Sequence, residues 1–137
     1  MPFCTSTPNS SGASALLSFG GTSSLSQADL VLDASSLPSN QFCLFFLGDQ
    51  SDFVPAFAGS QGNLCVGGTL VRLNAFIQSS GSLGQTSLPL PFGQVPFVNG
   101  GPIQVGETYY FQTWFRDIVG GTQTSNTTSA LEVTFGP

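Results

Sequence analysis

Glu107-Thr108-Tyr109-Tyr110-Phe111-Gln112-Thr113-Trp114-Phe115-Arg116 decides the fold class. Successive side chains of an extended chain point to opposite faces. Tyr109, Phe111 and Phe115 therefore share one face, and Tyr110, Trp114 and Arg116 share the other. Aromatic residues suit a pleated, half-buried surface, so the stretch predicts a strand over 107–116. Further toward the N-terminus, Phe42-Cys43-Leu44-Phe45-Phe46-Leu47 is apolar on both faces, as in a central strand covered on both sides. Toward the C-terminus, Leu131, Val133 and Phe135 alternate with Glu132 and Thr134, which predicts a closing strand over 129–135 with its apolar set inward.

Between these anchors, short apolar or alternating runs are separated by Gly, Pro, Ser and Asn. Strands are predicted over 14–19, ended by Gly20-Gly21, and over 28–34, where Leu30 and Leu32 share a face. Leu37-Pro38-Ser39-Asn40 makes a turn. A loop is expected over 48–62, carrying Asp49, Asp52 and Pro55. Beyond it, a short strand over 64–66 leads into Gly67-Gly68, with candidate strands over 69–73 and 75–78. Residues 82–90 alternate weakly. Seven to eight antiparallel strands without helices predict an all-β chain, an immunoglobulin-like or fibronectin III-like β-sandwich occupying 1–137 as one domain. Leu30, Leu32, Leu44, Phe46, Phe111, Leu131 and Val133 are expected between its two sheets. Residues 1–12 are too rich in Ser, Thr and Pro for a core strand; they form an extended arm that either reaches outward or folds back onto its own sandwich edge.

Composition excludes several functions. Of 137 residues only 7% are charged, Lys and His are absent, and Arg72 and Arg116 are the only cations against seven carboxylates, for a net charge of −5. Phosphate backbones are held by Lys and Arg, so no nucleic-acid partner is expected, and anionic membrane surfaces are disfavoured on the same ground. The six-residue apolar run at 42–47 is far short of the roughly 20 residues that span a bilayer, so no membrane insertion is expected. With 13 Phe and 40% hydrophobic residues the chain should fold rather than stay disordered. Met1-Pro2-Phe3 has neither the basic nor the long apolar segment of a signal peptide, and the chain is read as a mature or excised form. Cys4, Cys43 and Cys65 match no zinc spacing. Their odd number, in a chain so rich in Ser and Thr, reads as one disulfide plus one buried thiol in an exported protein.

The opening Phe3-Cys4-Thr5-Ser6-Thr7-Pro8-Asn9-Ser10-Ser11-Gly12 is similar to the start of a β-rich module repeated in large exported proteins of planctomycetes and other environmental bacteria. Further stretches resemble it in the same order: Ala28-Asp29-Leu30-Val31-Leu32 leading to Leu37-Pro38-Ser39-Asn40-Gln41-Phe42, then Gly62-Asn63-Leu64-Cys65-Val66-Gly67-Gly68, then Tyr110-Phe111-Gln112-Thr113-Trp114-Phe115-Arg116-Asp117. Ala130-Leu131-Glu132-Val133-Thr134-Phe135 completes the likeness, which covers nearly the whole chain. That module has no assigned activity. The resemblance implies export, a β-rich fold and a Cys4–Cys65 disulfide; Cys43 departs from its pattern.

No catalytic machinery is expected. Ser-His-Asp and Cys-His arrangements need a His, and no Lys can substitute as the base. Asp49 and Asp52 are the closest loop carboxylates, but no aromatic-lined cleft accompanies them, and no Asp-x-Asp-x-Asp spacing marks a calcium loop. Neither cofactor nor metal is implied. Asn9-Ser10-Ser11 and Asn126-Thr127-Thr128 are formal glycosylation sequons, relevant only in a eukaryotic secretory pathway, away from which the resemblance points. Tyr110, Trp114 and Arg116 form a candidate ligand face, since sugar rings stack on flat aromatic rows. The simpler reading makes the rings core and pairs Arg116 with Asp117 or another acid.

Two functions follow. In the first, the chain is a secreted, non-catalytic structural or adhesive module of the extracellular surface, partnering itself or neighbouring modules as a subunit of a filament or matrix. A surface almost without charge, and without Lys to defend strand edges, favours association. In the second, it is a carbohydrate-binding module reading polysaccharide through Tyr110 and Trp114.

Overall fold

The computed structural model describes residues 2–92 and 102–137. Its strands are β1 (Pro2–Phe3), β2 (Leu16–Gly20), β3 (Val31–Ser35), β4 (Phe42–Val54), β5 (Leu64–Arg72), β6 (Gln78–Ser79), β7 (Thr86–Pro89), β8 (Thr108–Val119), β9 (Thr122–Thr127) and β10 (Ala130–Thr134). Single 3₁₀ turns lie at Phe57–Gly59 and Asn74–Phe76. Among the described residues no helix is long and apolar enough to cross a membrane.

All pairing between these strands is antiparallel, in two sheets. The larger sheet runs β1-β10-β8-β4-β5, with β9 continuing the β10 side of β8 and β6 joining the β5 side of β4. The smaller sheet is β2-β3-β7. The predicted β-sandwich is therefore the observed class. Its core forms where Leu17, Leu32 and Leu88 of the small sheet, with Leu30 just before β3, meet Cys43, Phe45, Leu47, Phe111, Phe115, Leu131 and Val133 of the large one. Phe135 sits among the rings of Phe92, Tyr109 and Phe111 in edge-to-face contacts at 6.0–6.5 Å.

Four expectations need correction. Leu44 and Phe46 do not lie between the sheets: Cys43, Phe45 and Leu47 take the inward positions, and the period of two sends their neighbours to the outer face. The loop expected over 48–62 is largely strand, because β4 continues to Val54 against β5. Gly67-Gly68 does not end a strand. It is a bulge inside β5, with Gly68 at φ 71° and the register shifting between Gly48 and Gln50. A further strand, β9, occupies the polar stretch after Gly120-Gly121, both at positive φ, which closes a two-residue hairpin from Val119 to Thr122.

The N-terminal arm folds back. β1 pairs with β10, Ser10 binds Asp117 through its amide (2.9 Å) and its hydroxyl, and the Asn126 amide donates to the carbonyls of Thr7 and Pro8. Asn9 donates to the Ser36 carbonyl at 2.8 Å. Both sequon asparagines are thus buried and held by backbone acceptors.

Candidate functional site

The outer face of the large sheet carries the candidate site. Two bulges let the far half of the β4–β5 hairpin bend across that face. At the bend, a Cβ on Gly48 would lie 2.4 Å from the Gly67 carbonyl oxygen, so only glycine permits the approach. Gln112, projecting outward from β8 and fully buried, pins the folded hairpin in place. Its Oε1 accepts from the Cys65 amide at 3.0 Å, and its Nε2 donates to the carbonyls of Asn63 and Thr128, both at 2.8 Å. All the donors and acceptors of this amide face protein groups, so the bend is locked rather than merely packed. Beyond it, the Gln61 amide donates to Ser125 and the Thr127 hydroxyl to Asn63, tying the hairpin to β9.

The Cys4–Cys65 disulfide joins the arm to this hairpin, and Cys43 is free and buried on the opposite side of the sheet. Burial pushes the Cys43 thiol up to about 11, because a thiolate there would lack solvation. Around the disulfide a second apolar cluster gathers Phe46, Leu64, Val66 and Ala130 against Phe3, Val54, Leu70, Tyr110 and Trp114. The apolar outer side of 42–47 thus finds its cover in a folded hairpin and an arm instead of a third sheet.

The cover is incomplete. Tyr110 is half-buried, with the Phe3 ring edge-on at 5.7 Å and 82°. Trp114, opposite Leu44 on β4 and Thr127 on β9, is half-buried and forms part of the floor of an open groove of about 290 Å³. Leu44, Phe46, Leu64 and Leu70 supply its aliphatic and aromatic walls, Phe57 and Arg72 its rim, and Ser60 and Thr127 its hydroxyls. A second depression, about 310 Å³, continues past Trp114 between Phe42, Ile77 and Arg116. Arg116 lies over the indole with its guanidinium carbon 5.8 Å from the ring centroid, a cation–π contact. It does not pair with Asp117, which faces the other way and accepts from Ser10 and from the Ile118 amide at 2.8 Å.

Of the predicted face, Trp114 lines both the groove and the adjoining depression, Arg116 lines the depression alone, and Tyr110 is capped by Phe3. Sequence reasoning missed Arg72, Phe57 and Leu70. Arg72 enters through the β4–β5 register, opposite Phe46, and no local pattern announces it. The two-sided apolar run at 42–47 was the one available signal that the outer face needed cover. Asp49 and Asp52 serve the hairpin backbone, accepting from the amides of Thr69 (2.9 Å) and Phe53 (2.8 Å). Among the described residues no group of three or more His, Cys, Asp or Glu is placed to hold a metal. Chemically, the groove offers apolar contact area with the Arg72 guanidinium at its rim, and the adjoining depression adds that of Arg116.

No protein-family model, no curated protein and no solved structure matches the chain.

Proposed function

We propose that the chain is a non-catalytic structural or adhesive module of the extracellular surface, of the kind repeated in exported bacterial proteins, and that it associates with copies of itself or with neighbouring modules. The observation that carries this reading is the outer face around Trp114. Phe42 is 60% exposed and Ile77 51%, both bordering the depression beside Trp114, and contiguous apolar surface of this kind serves association. A disulfide-stapled arm and a surface without Lys suit a domain that works outside the cell against a neighbour. Sedimentation of the purified domain, with electron microscopy at high concentration, tests it. Concentration-dependent assemblies are expected; a monomer at all concentrations, with no filaments, would overturn the reading.

The half-exposed Trp114 keeps a second reading in view, a carbohydrate-binding module in which a sugar ring stacks on the indole. Binding on a glycan array that disappears in Trp114→Ala, from a protein that stays monomeric, would establish it instead.

A further inference from the structure

Both cations of the chain border the same apolar surface, Arg72 on the groove and Arg116 on the depression beside it, with Trp114 common to both. Everything else ionised on this chain is acidic, since its net charge is −5. A complementary occupant therefore presents an apolar anchor with a carboxylate beside it. Among the described residues the surface carries one such pair of sequence neighbours. Phe53, 60% exposed, follows Asp52, also exposed, near the end of β4. Among the described residues, the other exposed apolar side chains have no exposed acidic neighbour in sequence. Leu83 stands between Ser82 and Gly84, Phe19 between Ser18 and Gly20, and Ile118 beside an Asp117 that is buried and bonded to Ser10.

We infer that Phe53 and Asp52 of one copy dock into the Trp114 groove of a second copy. The Phe53 ring enters between Leu44, Leu70 and Trp114, and the Asp52 carboxylate meets Arg72 and Arg116. This rests on the self-association proposed above and names its surfaces. The groove chemistry favours a ring over a sugar: the Thr127 hydroxyl is already donated to Asn63, and Ser60 already accepts from the Gly62 amide. With Ser60, Thr127 and Arg72 the groove's polar lining residues, most hydroxyls of a buried sugar would go unpaired, which costs more than burying a ring. Knob and groove are different patches of one molecule, so the contact is heterologous and extends head to tail unless its rotation closes a ring.

The test is complementation. Two variants are made, Phe53→Ser, which removes the knob, and Arg72→Glu with Arg116→Glu, which reverses the groove. All three positions are exposed, and circular dichroism with melting curves checks that both variants fold. Each alone should self-associate at least about tenfold more weakly than wild type in sedimentation equilibrium, the shift a lost anchor or a reversed charge pair produces. Mixed, they should form a one-to-one complex, because each retains the half the other lacks. If both variants assemble as wild type does, the docking is wrong and self-association uses another surface. If each loses assembly but the mixture stays monomeric, the pairing of these two patches is wrong. A wild type that is monomeric throughout overturns both this inference and the reading beneath it.

Discussion

Thr113 projects inward from the middle of β8, opposite Phe45, with its hydroxyl buried and unpaired. An unmade hydrogen bond in an apolar core costs about 1–3 kcal/mol, and valine has nearly the same shape. Thr113→Val should therefore raise stability by about 1 kcal/mol, seen as a higher urea midpoint with unchanged slope. Cys43 makes an opposite prediction about pH. Its folded-state pKa is raised from 9.0 to about 11, so the folded chain holds the proton more tightly than the unfolded one. Stability is unaffected below pH 9 and falls as pH rises between 9 and 11, by about 2–3 kcal/mol in all. Cys43→Ala should lack that component, so the wild type should lose more on alkaline titration than the variant. Equal losses would place the thiol in water.

At the scale of elements, the β4–β5 hairpin carries the most consequence. Gly48→Ala forces a methyl against the Gly67 carbonyl, so the bend must open or the strands part. About 1–3 kcal/mol of stability should be lost, along with the groove that the bent hairpin walls. Fluorescence of Trp114, the chain's one indole, should shift to the red as it meets more water. How legible these elements were follows their chemistry. β10 was readable because one apolar set alternates with one polar set, and β8 because its density of aromatic residues suits a pleated surface. The run at 42–47 reads as a strand, but its phase was assigned wrongly, with Leu44 and Phe46 expected inward where Cys43, Phe45 and Leu47 lie, since both faces are apolar and nothing local says which side meets the second sheet. β9 is Thr, Gln, Ser and Asn throughout and has no hydrophobic signal; Gly120-Gly121 was its only mark. Gly20-Gly21 ends β2 and Gly67-Gly68 makes a bulge, so the mark is ambiguous. Trp114 and Arg116 could be placed on one face from spacing alone, whereas Arg72 joins them through a pairing of distant strands that no local window contains.

For the molecule as a whole, the disulfide is the main long-range constraint outside the core. Its cysteines are 61 residues apart, and closing a loop of that length stabilises the fold by roughly 4 kcal/mol in the chain-entropy view. Cys4→Ser with Cys65→Ser should lower the denaturation free energy by about that amount. The amides of the arm, such as that of Ser10 bound to Asp117, should then exchange with solvent faster, measurable by hydrogen exchange. The same bond also fixes how the domain would behave under load. Tension applied at residue 2 would pass from Cys4 directly into β5 and bypass the chain between them, which includes β2, β3 and β4. In a single-molecule pulling experiment the oxidised domain should yield about 200 Å less extension than the reduced one, the stretched length of roughly 60 residues. A string of such modules would give way in short, bounded steps and then stop, behaving as a tether of limited stretch.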